Sequence, residues 1–423
     1  MTSLLQKKYK ILALCDHPLS TSGVGVQARF LFEGLVKTGR YSFKVLGGAV
    51  KHENYETVAA SPDFIVKPVD GFGTPQLLRQ LLITEQPDAL FLFTDPRQFI
   101  WVWEMEDEIK QVCPIVYWHV WDNDPYPDFN KVWYDGTEAI NCLSYKTYEM
   151  LKESYDHSEK VSYIPHSFPK SVYFPIPEVE RLNLVYQNFK DKSDWFKVLW
   201  VNRNAHRKMP NDLLMAWKLF LDAKEKGDGN RNAVLIMHTD PNDVEGPNLQ
   251  ATSQRLGISD NVWFSTNRIQ FSDLNILYNI VDCTVNISKA EGFGLSILSS
   301  LQCGTPVIGL KTGGMTRQLI DHRTNKEVGI ALDPIERSMI GSQMVPYIYE
   351  DIVSKLDLVE AFWRLSHYPT ELKKEIAQKG LEYVDFEFNY ENMIKSWDES
   401  FVKTIENFQT NKPQQWDVVK LGL

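Results

Sequence analysis

A chain of 423 residues is longer than one hydrophobic core usually fills, and implies two domains. Lys and Arg total 45 against 55 Asp and Glu, a net charge of −10 that argues against broad binding to nucleic acid or an acidic membrane. Any phosphate site must therefore be built locally. The five cysteines, Cys15, Cys113, Cys142, Cys283 and Cys303, are widely spaced and lack C-x-x-C or His-Cys ligand spacing, which fits a reduced cytosolic protein. The apolar run that follows the basic Gln6-Lys7-Lys8-Tyr9-Lys10 is only about six residues long, too short for a signal or a membrane span. The expected location is cytoplasmic, with a peripheral position at a membrane surface left open.

The first unit reads as strand, glycine loop and helix. Ile11 to Cys15 is a continuous apolar run of the kind buried in a parallel sheet, His17 to Gly25 is a loop, and Val26 to Val36 has helical spacing. Gly23 and Gly25 do not complete a G-x-G-x-x-G, since Ala28 follows and no acidic residue stands at dinucleotide spacing, so a nicotinamide site is disfavoured. Strands at 43–46, 64–66, 89–93, 115–118 and 139–143 alternate with helical stretches at 75–85 and 100–112 and a helix begun by Ser144. This alternation implies a doubly wound parallel sheet with ligands beyond the carboxyl ends of its strands. His119 stands at such an end. Trp121, Asp122, Asp124 and Tyr126 follow it in a proline-bearing loop suited to contacting an acceptor. The Asp122-x-Asp124 pair could instead hold a divalent metal; a surface-loop role is favoured. Residues 175–196, polar and charged, read as the linker.

The second half restarts the pattern. Residues 197–201 form a strand, and Arg203, Arg207 and Lys208 cluster at its carboxyl end before a helix at 211–223. Strands at 233–237, 262–264 and 282–287 lead to Glu291-Gly-Phe-Gly-Leu, which reads as a loop carboxylate before a helix that opens at Phe293 or Gly294. Unpaired amides at such a helix start favour an anion, and Glu291 could accept from hydroxyls of the same ligand. Residues 307–310 lead to a second glycine loop at Gly313 and Gly314, and 329–332 is the last expected strand, with helices from Asp351 onward.

In this order, these residues resemble the retaining GT-B glycosyltransferases of family four. The resemblance rests on Gly23 and Gly25, His119, Ser144, Ile164-Pro-His-Ser-Phe, Arg203 with Lys208, Leu277-Tyr278 with Asp282, Ser288, Glu291-Gly-Phe-Gly-Leu, Cys303-Gly-Thr-Pro-Val-Ile and Gly313-Gly314. It implies an α/β GT-B fold of two Rossmann-like domains facing a cleft. The expected acceptor domain spans 1–190 with a returning C-terminal helix at about 390–423 through Trp397, Phe401 and Trp416, and the donor domain spans 191–389. The partners it implies are a nucleotide-diphosphate sugar and a hydroxyl acceptor, with no prosthetic group and no metal.

The resemblance assigns Arg203 and Lys208 to a diphosphate clamp, Glu291 to the donor sugar, the Gly294 and Leu295 amides to the phosphates, and Phe293 to the donor site. Gly23, Gly25, Gly313 and Gly314 complete the donor site, and His119 is placed near the reaction centre. One position departs: Ser299 stands where the family has a second glutamate for the ribose. Two rival readings keep less of this picture. Transfer to a modified nucleic-acid base would need a basic face from Lys7, Lys8, Tyr9 and Lys10 or the 146–152 helix, and a non-catalytic nucleotide-sugar binder would explain Ser299.

Overall fold

The computed structural model describes residues 8–411; Lys7 and Trp416 lie outside the described residues. Two sheets organise the chain. The first holds β1 (Tyr9–Asp16), β2 (Tyr41–Gly48), β3 (Val58–Ser61), β4 (Phe64–Pro68), β5 (Ala89–Thr94), β6 (Ile115–His119), β7 (Ala139–Cys142) and β8 (Val161–Tyr163), in the order β3-β4-β2-β1-β5-β6-β7-β8. Every pairing is parallel except that of the exposed edge strand β3 with β4. Burial on both faces explains the continuous apolar runs: all six residues of β5 are buried, Ala89 through Thr94.

The second sheet comprises β9 (Phe196–Val201), β10 (Ala233–His238), β11 (Val262–Ser265), β12 (Cys283–Asn286), β13 (Val307–Leu310) and, after a short antiparallel pair β14 (Ile320–Asp321) and β15 (Lys326–Glu327), β16 (Ile330–Leu332). Its order is β11-β10-β9-β12-β13-β16, all parallel. The reversal of strand order beside β9 and β12 opens a crevice at their carboxyl ends, the usual ligand position in such sheets.

Three sequence expectations change. The polar stretch read as a linker contains a helix, Glu178–Phe189, anchored by Val185 and Phe189, and the Phe189 ring stacks on Trp263 at 5.6 Å. The single helical stretch at 100–112 is two short helices, Ile100–Trp103 and Glu106–Lys110. The chain does not end its strands at Leu332: an antiparallel hairpin follows, β17 (Pro334–Ile340) and β18 (Ile348–Val353), and the first C-terminal helix starts at Lys355. The last helix, Tyr390–Thr410, returns to the first sheet. Its Trp397 packs edge-on against Phe91 and Trp118, and Asp398 bonds Arg40 at 2.6 Å and the Tyr41 hydroxyl at 2.5 Å.

Candidate functional site

The chemistry gathers where β12 ends. The Glu291 carboxylate is 7% exposed and ion-paired to Lys208. Its Oε1 also accepts from Ser288 Oγ at 2.9 Å and Asn286 Nδ2 at 3.3 Å, while Arg207 Nη1 lies 3.6 Å from Oε2. Burial alone would raise this carboxyl's pKa; Lys208 and Arg207 outweigh it and hold Glu291 at about 2, ionised throughout the physiological range. Asn286 reaches onward to Ser296 Oγ at 3.1 Å, so the last residue of β12 fixes both the carboxylate and the start of the next helix.

That helix, Leu295–Gln302, begins after Gly294, whose φ of +92° suits glycine and whose missing side chain leaves room for Met315. No side chain caps it, so its first amides are free to meet an anion. The second glycine loop closes the floor: Gly314 N donates to Glu291 O at 2.8 Å, and a side chain at Gly313 would strike the carbonyls of Asp122 and Glu291.

The first sheet supplies the opposite wall. Ser22 caps the helix Gly23–Lys37 by accepting from Gly25 N at 3.0 Å, and Gly23 sits against Leu295, 3.1 Å from where its Cβ would stand. Asp122 comes from the loop after β6 and crosses to the second half. Its Oδ2 is 3.5 Å from Arg207 Nη1, and its Oδ1 would lie 3.0 Å from a Cβ at Gly292. One guanidinium thus stands between carboxylates of both halves. Asp124 is matched by Lys146 at 3.0 Å and Arg337 at 3.3 Å, so both acids of the Asp122-x-Asp124 pair already face cations of this chain.

Several expected site residues lie elsewhere. His119 is fully buried, with Nε2 2.8 Å from the Tyr134 hydroxyl and Nδ1 beside Cys142 Sγ, and burial lowers its pKa to about 3. It supports the loop from beneath rather than facing the crevice. Arg203 is exposed and bidentate to Asp243, at 2.7 and 3.0 Å, so the cation that joins Lys208 at Glu291 is Arg207. Arg207 stood in the basic cluster of the sequence, and only geometry singles it out.

Ser299 is 2% exposed, within hydrogen-bonding reach of the Tyr173 and Tyr278 phenols, which are themselves buried; it is packed rather than open to a ligand. Trp121 is also core, clustered with Met150 and Val345 and edge-on to Phe129, while Tyr126 is partly buried against Tyr134. Phe293 joins the halves, its ring 5.0 Å from His166 and 5.7 Å from Phe388.

Residues 186–334 match the family described as "Glycosyl transferases group 1". This stretch resembles the group 1 glycosyl transferases. The match covers the second sheet together with Glu291, Arg207, Lys208 and both glycine loops of that half. Among curated proteins, the D-inositol 3-phosphate glycosyltransferase of Segniliparus rotundus is 30% identical over 126 residues, 29% of this chain and 26% of the relative. Mannosylfructose-phosphate synthase of Agrobacterium fabrum is 26% identical over 216 residues, 50% of this chain and 46% of the relative. The matched stretches thus span less than half the length of these relatives.

Solved structures match nearly the whole chain. Sucrose-phosphate synthase from Thermosynechococcus elongatus aligns at a TM-score of 0.74 and 15% identity, covering 95% of this chain and all of that one. Anabaena Alr3699/HepE in complex with UDP and glucose aligns at 0.68 and 17%, covering 93% and 100%. Two Rossmann-like halves with this similarity give the chain a GT-B fold.

Proposed function

We propose that this protein transfers a glycosyl residue from a nucleotide-diphosphate sugar to a hydroxyl acceptor, with retention of anomeric configuration and without a metal. The observation that carries the reading is the ionised Glu291 held between Lys208 and Arg207 at the uncapped start of the helix Leu295–Gln302. Glu291 suits sugar hydroxyls, and the two cations with the helix amides suit a diphosphate. The HepE structures with UDP and with UDP-glucose support a uridine donor as the first to try.

Departure of the diphosphate builds negative charge as the anomeric carbon becomes cationic. Fixed donors aimed at that charge lower the barrier, and removing one typically costs about 2.7 to 4 kcal/mol. Lys208, largely desolvated, and Arg207, partly exposed, are such donors, oriented by Glu291, Ala290 and Asp122. The acceptor hydroxyl attacks on the face the diphosphate leaves, from the side of Asp122. Contact between the halves, Gly23 on Leu295 and Asp122 on Gly292, excludes water from an activated sugar.

A thermal-shift screen of nucleotide sugars followed by hydrolysis and transfer assays tests the reading. Stabilisation by a nucleotide sugar, and turnover that persists in a chelator, are expected. A product of inverted configuration by NMR would overturn retention, and stabilisation by none of the nucleotide sugars would overturn the donor site.

A further inference from the structure

The hairpin β17–β18 belongs to the second half of the chain, yet its contacts run to the loop after β6 in the first. Asp351, fully buried, accepts at Oδ2 from Asn123 Nδ2 at 2.8 Å and lies 2.7 Å from Thr312 Oγ1, while its Oδ1 accepts from Arg337 Nε at 2.7 Å. Asn123, also buried, donates further to the Tyr349 carbonyl at 3.2 Å, and Tyr349 N returns a bond to Asp124 O at 2.8 Å. Tyr347 bonds Asp128 through its hydroxyl and meets the Phe129 ring edge-on at 5.2 Å, while Val345 packs with Trp121. The base of the hairpin is tied to the donor side: Asp351 N donates to Lys289 O at 2.8 Å, and Lys289 N donates to Arg207 O at 2.9 Å.

One carboxylate therefore joins three segments: the loop bearing Asp122, the second glycine loop through Thr312, and the hairpin. Asp122 is the neighbour of Asn123 in the chain, so whatever holds Asn123 fixes where Asp122 meets Arg207 and Gly292. A buried amide–carboxylate bond with all its partners present is costly to break, because each group would be left desolvated and unpaired.

We propose that the hairpin β17–β18 is a clasp for the loop at 120–129, and that Asn123 and Asp351 are positioning residues that set Asp122 at the acceptor edge of the crevice. For its kinetic arm this rests on the glycosyl-transfer reading. Glu291, Lys208 and the start of the helix Leu295–Gln302 are held by partners within the second half and have no hydrogen bond or ion pair to Asn123. Loosening the clasp thus raises the acceptor KM, leaves donor affinity in place, and shifts turnover from transfer to hydrolysis.

The test compares full-length wild type, Asn123→Asp, Asp351→Asn and the double variant. Asn123→Asp sets two carboxylates against each other; the double variant restores an amide–carboxylate pair with the roles exchanged. Expected for Asn123→Asp is an acceptor KM raised about tenfold or more, UDP-glucose affinity within about twofold of wild type, and a higher hydrolysis-to-transfer ratio, with the double variant recovering most of the loss. An unchanged acceptor KM, or a double variant no better than Asn123→Asp, would overturn the clasp. If Asn123→Asp does not fold, Asn123→Ala takes its place, with raised KM at retained donor affinity supporting the proposal and unchanged KM refuting it. Small-angle scattering needs no turnover: a variant more open than wild type supports the clasp, and superimposable curves refute it even if the transfer reading fails.

Discussion

The two walls of the crevice are built on different plans. On the side proposed for the donor, Asn286, Ser288, Glu291, Gly294 and Ser296 fall within eleven consecutive residues, and the cations of the loop after β9 come from far along the chain. On the side proposed for the acceptor, Asn123 and Asp351 are 228 residues apart, and Tyr347 and Asp128 219. A wall made of neighbours is a motif; a wall made of distant pairs is a topology. The first kind is stabilised by local hydrogen bonds, whereas the second depends on the whole fold closing correctly.

The largest effect expected is on the packed end of the donor wall. Ser299→Glu would supply the second glutamate that the resemblance implies, but here it would place a carboxylate against the buried Tyr173 and Tyr278. A loss on the order of 3 to 5 kcal/mol is expected, read as a fall in melting temperature without gain in UDP affinity. Tighter UDP binding would instead show that the ribose end is open. Lys208→Ala should slow transfer by roughly a hundredfold or more, about 2.7 to 4 kcal/mol of barrier, measured as kcat/KM on a donor that still binds.

Acid separates the walls. His119 and His166, both on the first half, are held neutral by burial with pKa values of about 3, so each costs stability as pH falls from about 6.5, by about 1.4 kcal/mol per unit. Glu291, with its pKa depressed to about 2, keeps its contribution above pH 4.5 and loses it only as pH falls toward 2. Chemical denaturation between pH 7 and 4 should therefore weaken first-half probes, such as Trp118 fluorescence, before the donor side; simultaneous loss would contradict this. The smallest effect is a ratio: Arg207→Ala should reduce turnover at least about tenfold more than Arg203→Ala, because Arg207 touches Glu291 and Asp122 while Arg203 is spent on Asp243. Equal losses would return Arg203 to the site.

The same contrast explains what was legible in the sequence. Buried parallel strands announce themselves as apolar runs, so β5, β9 and β13 are read nearly to the residue and the core of β1 is found, while Glu291 with its glycines stands out as a candidate site without any tertiary information. The hairpin was invisible because β17 is mostly exposed and lacks alternation, its pattern set by partners across the crevice rather than by a sheet core. His119 misled because a strand end identifies a position but not a side: the ring turns inward to Tyr134, whereas Asp122, three residues on, faces the crevice. Helix Glu178–Phe189 hid in a polar stretch because two buried residues one turn apart suffice to dock it.

Among the described residues the chain passes between the halves twice, near Ser167 and near Phe388, and the two passages touch: Ser167 Oγ donates to Phe388 O at 2.6 Å. Two covalent connections lying side by side act as one joint and leave most rotational degrees of freedom to non-covalent contacts. The angle between the halves is then a balance of small terms rather than a property of the backbone. Two of those terms, Arg337–Asp124 and Arg207–Asp122, are partly exposed ion pairs. Salt weakens exposed ion pairs, with a Debye length of about 10 Å at 0.1 M, so ionic strength acts on the geometry of this crevice as well as on the affinity of the anionic donor proposed for it.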